Sequence, residues 1–429
     1  MWHIFNLLCV ITSGVLLVTN SAAASEEQDV LTLNKVTELA AQNNPDLAQM
    51  RARAEAMAAI PSQVSTLPDP EISFNARNLP TNTFNTGQED MTMTGPGISQ
   101  AIPFPGKLAL RGEAANFDAA AALQNVTEAR SWLLSNVKHT WWRVFFLDQA
   151  LLIVKNNQIL LRQFVQVART KYEVGAGLQQ DVLLAQVELS GLLDQQLILE
   201  GARRNSVAQL NALLDTEANR PVILPKKISE QLPDIISEAE LYQLAESTRA
   251  LLASKQESIN AAQARVELAM RDYYPDFKFG AFYGFRGDRP SGVDRADLLT
   301  LNMSMSIPIF LDRKQAKAVD QRNSELLQHK YALQDEWNKV RAQISQNYSD
   351  FQRASEQVTL FKTGIIPQAR QTVASMLAGY QVNKVDFLNL VRSQITLLNH
   401  EMKYWQAFTE ANQSLAQLVA AVGEEEIYE

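Results

Sequence analysis

The chain predicts a mainly α-helical fold joined to a membrane β-sheet, built as a duplicated unit of long coiled-coil helices with two strands per copy. Short signatures return at a near-constant spacing. Pro70-Glu71-Ile72-Ser73-Phe74 recurs 205 positions later as Pro275-Asp276-Phe277-Lys278-Phe279, and Ile102-Pro103 recurs as Ile307-Pro308. Tyr172-Glu173-Val174-Gly175 recurs 208 positions later as Tyr380-Gln381-Val382-Asn383. Segments of period two also interrupt helical stretches of unusual length, in the same order in both copies. Such a duplication reads as a quasi-symmetric wall that several chains could close into a tube.

The N-terminus comes first. Ile4 to Val18 is mostly apolar, and Ala22-Ala23-Ala24 offers a small-residue cleavage site before Ser25-Glu26-Glu27, so residues 1–24 are expected to be a secretory signal peptide. An uncleaved N-terminal anchor is the alternative. Cys9, the single cysteine, lies in that stretch and would leave with it, removing disulfides and thiolate metal sites from the mature chain. The destination implied is the envelope of a Gram-negative bacterium.

In the first copy, residues 33–66 form an Ala-rich helical run closed by Pro68 and Pro70. The period then changes to two: Ile72, Phe74 and Ala76 alternate with Ser73, Asn75 and Arg77, and a second alternating stretch runs from Met91 to Pro103-Phe104-Pro105-Gly106. Lys107 to Tyr172 contains neither proline nor a turn cluster, which makes about 65 residues, or on the order of 100 Å, of helix. Gly175-Ala176-Gly177 breaks it, and Asp181 is expected to cap the next helix, which runs to Leu214.

The second copy follows suit. A helix over Glu238–Tyr273 stops at Pro275. Phe277, Phe279, Ala281, Tyr283 and Phe285 alternate with Lys278, Gly280, Phe282 and Gly284, and Leu299, Leu301, Met303, Met305 and Ile307 alternate with Thr300, Asn302, Ser304 and Ser306. Helices are expected over Asp312–Ala378, kinked at Pro367, and over Phe387–Val422. Ile344, Phe351, Val358 and Ile365 recur every seven residues with Tyr348 and Phe361 between them, while Val391, Ile395, Leu398, Met402 and Trp405 keep 3–4 spacing. These are seams for helix packing.

Alternation with one apolar face suits a barrel wall, with the apolar set in hydrocarbon and the Ser/Thr/Asn set toward the lumen. Backbone in lipid needs internal partners, so the sheet must close, and four strands are too few for one barrel. An oligomer that pools its strands is implied. No run beyond the N-terminus approaches the roughly 18 apolar residues of a spanning helix.

Composition and motifs exclude other classes. A net charge of -8 and the lack of a basic cluster argue against a nucleic-acid partner. There is no G-x-S-x-G, no phosphate loop and no H-E-x-x-H, so no enzyme and no cofactor are expected. Met91/Met93 and Met303/Met305 invite a copper reading, but Met303 and Met305 share parity with Leu301 and Ile307 and read as barrel hydrophobes. His139, His329 and His400 are isolated on helices without a ligand at i+3 or i+4, which argues against a metal site. Trp141-Trp142 read as helix packing for at least one ring, and Glu424-Glu425-Glu426 as a solvated acidic tail.

Four segments in order carry a family resemblance across Leu31 to Val422. They are Leu67-Pro68-Asp69-Pro70, Ile102-Pro103-Phe104-Pro105-Gly106-Lys107, the turn Tyr172-x-x-Gly175-x5-Asp181, and its echo at Tyr380. Together they resemble the TolC-like outer-membrane factors of bacterial tripartite efflux pumps. The Pro-Asp-Pro and Pro-Phe-Pro-Gly-Lys segments and Tyr380–Leu388 look most like the heavy-metal branch. The resemblance implies a homotrimer with a twelve-stranded outer-membrane barrel and a helical periplasmic tunnel. Repeats would span 25–216 and 238–423, with a linker over 217–237 and an acidic tail over 424–429.

The implied partners are a periplasmic adaptor protein, an inner-membrane RND-type pump and outer-membrane lipid. The implied cargo is heavy-metal cations such as copper/silver or cobalt/zinc/cadmium, conducted passively. A drug-efflux or type I protein-secretion duct is the first alternative, and a soluble coiled-coil structural protein the second. The tunnel mouth and adaptor tip would be formed by Tyr172, Gly175, Asp181, Tyr380, Asn383, Asp386, Asn389 and Arg392. The family's second turn usually carries aspartates that ring the mouth. Here Asn389 and Arg392 stand at those positions, and Asp386 sits a turn earlier. Two readings follow: an Asp386–Arg392 ring between neighbouring chains that holds the mouth shut, or ordinary helix-start residues at a solvated tip.

Overall fold

A computed structural model describes residues 30–424 and 427–428. The expected signal peptide, with Cys9 and the cleavage after Ala24, lies outside these residues, as do Glu425 and Glu426. The first helical run is three helices rather than one: α1 (Leu33–Asn43), α2 (Pro45–Ala58) and α3 (Ile60–Ser65). The reason is local. Asn44 has extended backbone and accepts hydrogen bonds from the amides of Asp46 (3.0 Å) and Leu47 (3.1 Å), and Pro45 takes the first helical position, where no N–H is needed. Pro61 is the second residue of α3, which starts without a side-chain cap.

Strands β1 (Glu71–Arg77) and β2 (Met93–Ile102) lead into α4 (Lys107–Glu173), 67 residues long, or about 100 Å. After a turn comes α5 (Gln179–Leu213). The second copy opens with α6 (Glu238–Thr248), begun by a Ser237/Glu240 capping box, and α7 (Ala250–Arg271). The sequence suggested one helix here. It breaks at Arg249, whose backbone is extended and whose guanidinium is buried against Glu128 of α4 at 2.6 Å. Trp132 donates its indole N–H to the same carboxylate at 2.6 Å.

Strands β3 (Phe277–Gly284) and β4 (Leu298–Met305) precede α8 (Gln315–Leu360), which starts three residues later than Asp312. The kink expected at Pro367 takes the form of a π-turn over Phe361–Ile365, after which α9 (Ile366–Gln381) resumes with the proline in its first turn. A π-turn adds one residue to the winding, and the seam shows it. Ile344, Phe351 and Val358 are buried in heptad register, but the next buried residue is Ile366 instead of Ile365. Helix α10 (Phe387–Val422) ends at Gly423, in left-handed conformation.

Helix α4 packs along α5, α7 and α10, and α10 also packs along α8. Both tryptophans are buried: Trp141 and Trp142 meet edge-on at 4.9 Å, and Trp142 reaches Phe408 of α10 at 5.6 Å. The segment between copies is strapped to the π-turn, since Glu230 accepts from Tyr404 (2.5 Å) and Lys362 (3.0 Å). The end of the chain is not a simply solvated tail. Ile427 is fully buried, its carbonyl accepts from the Ile236 amide at 3.2 Å, and Tyr428 bridges Ile235. Helices α4 and α5 each contain a window long and apolar enough to cross a membrane, correcting the reading that no such stretch follows the N-terminus. About half of the α4 window is buried by the rest of the chain, whereas the α5 window is half-buried or exposed at nearly every position.

The four strands form one antiparallel sheet in the order β1-β2-β3-β4. Registers Phe74↔Pro96, Ile98↔Ala281, Phe279↔Met303 and Ala281↔Leu301 put all the apolar alternates on one face. That face is bare: Ile72 is 82% exposed, Phe74 76% and Leu301 74%. On the other face Lys278 pairs with Glu71 at 2.6 Å, and the Arg77 guanidinium lies 4.2 Å over the buried Phe282 ring. Met93 belongs to this second face, beneath Gly284, where its sulfur fills the place of a side chain. A Cβ on Gly95 would fall 2.0 Å from the Tyr283 carbonyl oxygen, so only glycine permits that approach.

The hairpins refine the duplication. Glu71↔Ser99 corresponds to Lys278↔Ser304, and the last pairs, Arg77↔Met93 and Gly284↔Leu298, correspond as well. The Ile102-Pro103 echo at Ile307-Pro308 sets the shift of β2 at 205 positions, and these pairs then require 207 for β1. Structurally, Pro68-Asp69 thus matches Pro275-Asp276, two residues away from the Pro70–Pro275 alignment suggested by sequence.

Ile344, fully buried between α8 and α10, tests the helical core. Ile344→Ala should cost about 2–5 kcal/mol in denaturant unfolding. Leu360→Ala, at an exposed position of the same helix, should stay within about 0.5 kcal/mol.

Candidate functional site

Two places concentrate unusual chemistry: the pair of helix turns at one end, and the junction where strands become helices. The turns are built alike. In the first, the Ala176 amide bonds the Lys171 carbonyl at 2.8 Å and the Gly175 amide bonds Tyr172 at 3.0 Å. In the second, Lys384 bonds Gly379 at 2.8 Å and Asn383 bonds Tyr380 at 3.2 Å. These are Schellman ends, which need a left-handed residue after the cap. Gly175 (φ 72°) and Asn383 (φ 59°) supply it.

The structure brings Asp181, Tyr380, Asn383 and Asp386 together, through a residue the sequence reading missed. Lys171, in the last turn of α4, donates to the Tyr380 carbonyl and to the Asn383 side-chain oxygen at 2.6 Å. Its ammonium also lies 4.2 Å over the Tyr380 ring. One cation thus ties the α4 end to the α9–α10 turn. The signal was the mismatch in the echo, where Gly379 stands opposite Lys171. Tyr380 is buried and its ring meets Phe387 at 5.1 Å. Burial and the Asp181 charge push its hydroxyl up to about 12.

Asp181 is not the cap of α5. Leu178 holds that position, and Asp181 sits in the first turn, where its carboxylate accepts from the Leu178 amide. Burial raises its pKa, and the Asp386 charge adds to this against the lowering effects of Leu178 and Lys171. Asp386 is the cap residue of α10, but its side chain makes no capping bond. Tyr172, Asn389 and Arg392 are exposed. Among the described residues no ion pair joins Asp386 to Arg392, and no group of three or more His, Cys, Asp and Glu side chains converges to hold a metal.

At the other end, the Ile102–Lys107 segment builds the strand-to-helix junction. Phe104 stacks on Tyr274 at 4.5 Å, and its amide donates to Asp276 at 2.7 Å. Gly106 is left-handed (φ 91°). The buried Lys107 ammonium then lies 3.0 Å from both Asp272 and Asp276. Between them these contacts join β2 and α4 to α7 and β3.

The family model for outer membrane efflux proteins matches residues 36–216 and 241–424. Among solved structures, the outer membrane protein VceC of Vibrio cholerae is similar over 91% of this chain and 96% of its own, with a TM-score of 0.77 at 16% identity. CusC, described for its folding and transmembrane channel formation, is similar at a TM-score of 0.77 and 16% identity, over 91% and 92%. The open-state MtrE outer membrane channel of Neisseria gonorrhoeae gives 0.76 at 13% identity, over 91% and 89%. At these identities the likeness is one of fold. No curated protein sequence matches the chain.

The tie at the turns has a direct test. Lys171→Met should raise amide hydrogen exchange at residues 174–178 and 382–386 about ten-fold, given roughly 1.5 kcal/mol for hydrogen bonds to a charged group. Asp181 sets a pH dependence. Its folded pKa is raised, so its stabilising contribution is present below the ordinary aspartate range and is lost as pH rises through the raised value. Asp181→Asn should therefore slow exchange at neutral pH and change nothing once the wild-type carboxyl is protonated.

Proposed function

Because this chain belongs to the outer membrane efflux protein family, we propose that it is the exit duct of a three-part efflux pump for heavy-metal cations, acting as a homotrimer. It is a passive outer-membrane channel and not an enzyme. The observation that carries the duct reading is the sheet: four strands with one bare apolar face, continuous with helices about 100 Å long. Such a face suits hydrocarbon, and such helices suit a conduit that extends away from the bilayer.

In this reading the turns at Val174–Leu178 and Val382–Asp386 form the periplasmic mouth, where an adaptor linked to an RND-type pump would dock. Tyr172, Gly175, Asn383, Asp386, Asn389 and Arg392 lie on or beside them, exposed for such contact. The cargo reading rests on the resemblance of the Pro-Asp-Pro, Pro-Phe-Pro-Gly-Lys and Tyr380–Leu388 segments to the metal branch. The second of these is occupied in holding the strand-to-helix junction together, so its link to cargo is through lineage rather than contact.

Two measurements follow. Leu301→Arg, on the bare face, should impair assembly by roughly 2–4 kcal/mol per chain near the bilayer midplane, read as loss of detergent-stable trimer. Thr300→Arg, on the opposite face, should be tolerated, and equal loss at both positions would reject the membrane assignment of this face. A deletion strain should become hypersensitive to copper/silver or cobalt/zinc/cadmium salts. Hypersensitivity to drugs and detergents alone would assign the drug branch, and loss of a secreted protein would assign the secretion branch.

A further inference from the structure

The two ends of the sheet treat their cations differently. At the loop end every arginine between β3 and β4 is engaged. Arg289 and Arg295 pair with Asp90 at 3.2 and 3.0 Å, and Arg286 donates to the Asp90 carbonyl at 2.7 Å. At the helix end the same hairpin is closed by Asp276 and Ser306, whose backbones bond at 2.9 Å. The chain enters that base after Arg271 and leaves it through Phe310-Leu311-Asp312-Arg313-Lys314. This is a tight turn, in which the Lys314 amide bonds the Phe310 carbonyl at 2.9 Å. The side chains of Arg271, Arg313 and Lys314 are exposed, and none has an ion-pair or hydrogen-bond partner among the described residues. Phe310 is 66% exposed and Leu311 41%.

Resting on the outer-membrane duct reading, we propose that this turn is a docking site for an anionic phospholipid of the periplasmic leaflet. Phe310 and Leu311 lie against its acyl chains. Arg313 and Lys314, with Arg271 on the same rim, meet its phosphate. Two features argue for this occupant. The first is continuity: the turn begins where the bare apolar face ends, at Ile307, on the helix side of the sheet. That is the level at which hydrocarbon gives way to headgroups. Long cationic side chains placed there lay their stems on apolar surface and keep their charges among the headgroups. The second is charge. Three unpaired cations stand against one unpaired acid, Asp312, among the described residues. That excess suits an anionic headgroup over a zwitterionic one.

The first copy of the repeat shows that a neighbouring molecule would leave the turn free. The echo of Ile102-Pro103 at Ile307-Pro308 sets Ile309 opposite Phe104, Phe310 opposite Pro105, Leu311 opposite Gly106 and Lys314 opposite Ala109. In the first copy this segment already has a neighbour, since Phe104 stacks on Tyr274 of the second copy at 4.5 Å. Pro105, Gly106 and Ala109 remain exposed even so. A molecule packed on the second copy in the same manner would cover Ile309 and leave Phe310, Leu311 and Lys314 bare. The first copy also lacks the means to hold a lipid here. Proline, glycine and alanine stand in place of Phe310, Leu311 and Lys314, and its own cation, Lys107, is buried between Asp272 and Asp276. The site therefore occurs once per chain.

Native mass spectrometry of the detergent-solubilised oligomer, titrated with phosphatidylglycerol or phosphatidylcholine, reads the site. The wild type should hold one tightly bound phosphatidylglycerol per chain, about 25-fold tighter than phosphatidylcholine, on the basis of about five-fold for each of two cations. Arg313→Gln with Lys314→Gln should remove that preference. Lys317→Gln deletes a cation already paired with Asp320 at 2.7 Å and should leave the preference within about two-fold of the wild type. Phe310→Ser should weaken both lipids several-fold, and weakening of neither would overturn the lipid in favour of a free phosphate ion. An unchanged preference in the double variant, or an equal loss in Lys317→Gln, would overturn the site. Dissociation of the double variant into monomers would also overturn it, making the turn a contact between copies. A wild-type protein that is monomeric in the soluble fraction would instead overturn the duct reading on which the site rests.

Discussion

A strand in hydrocarbon must have a partner for every backbone N–H and C=O, and this constraint shapes the rest of the molecule. The sheet presents one apolar face across all four strands, yet it stops at two open edges. Sheets of this kind are stable in lipid only when closed, and closure here needs other copies of the chain. The long helices follow from the same requirement. Each hairpin runs directly into a helix, so a ring of hairpins becomes a ring of helices, and α4 and α8 extend the ring away from the bilayer.

The strand-to-helix junction is where this plan is most tightly held. A lysine ammonium buried between two aspartates is costly unless its hydrogen bonds are satisfied, and Lys107 meets Asp272, Asp276 and the Tyr274 carbonyl. Phe104 and Tyr274 stack their rings at the same junction. Farther along, the aromatic cluster of Trp141, Trp142, Phe145 and Phe408 fixes α4 against α10. At the far end a smaller core of Phe164, Ala185, Tyr380, Phe387 and Leu390 is buried between the helices, and Lys171 adds a cation tied to a carbonyl, an amide oxygen and a ring face. Exposed turns open more readily than packed helix.

Much of this was legible in the sequence, because alternation and length depend on local chemistry. Leu299 to Ile307 and Phe277 to Phe285 declare their faces by period alone, and the absence of proline from Lys107 to Tyr172 is enough for a 67-residue helix. The misses share a different cause. The helix break at Arg249 depends on Glu128, 121 residues away, and the tie at Lys171 depends on Tyr380 and Asn383, more than 200 residues away. The π-turn arises where the heptad seam meets Pro367, which removes one helical amide and shifts the buried position from Ile365 to Ile366. The repeat offset was misread by two residues because Pro68 and Pro70 both precede an acidic residue, so sequence offered two equal alignments. Strand pairing separates them once β2 is anchored by the echo of Ile102 at Ile307.

The central claim is that the alternates of β4 face lipid and lumen in turn. Nitroxide labels placed singly from Leu299 to Met305 in reconstituted liposomes measure this through collision with oxygen, which partitions into hydrocarbon, and with a water-soluble nickel chelate. The account predicts oxygen accessibility at Leu299, Leu301, Met303 and Met305 and nickel accessibility at Thr300, Asn302 and Ser304. Nickel accessibility at all seven positions, with no alternation, would contradict it.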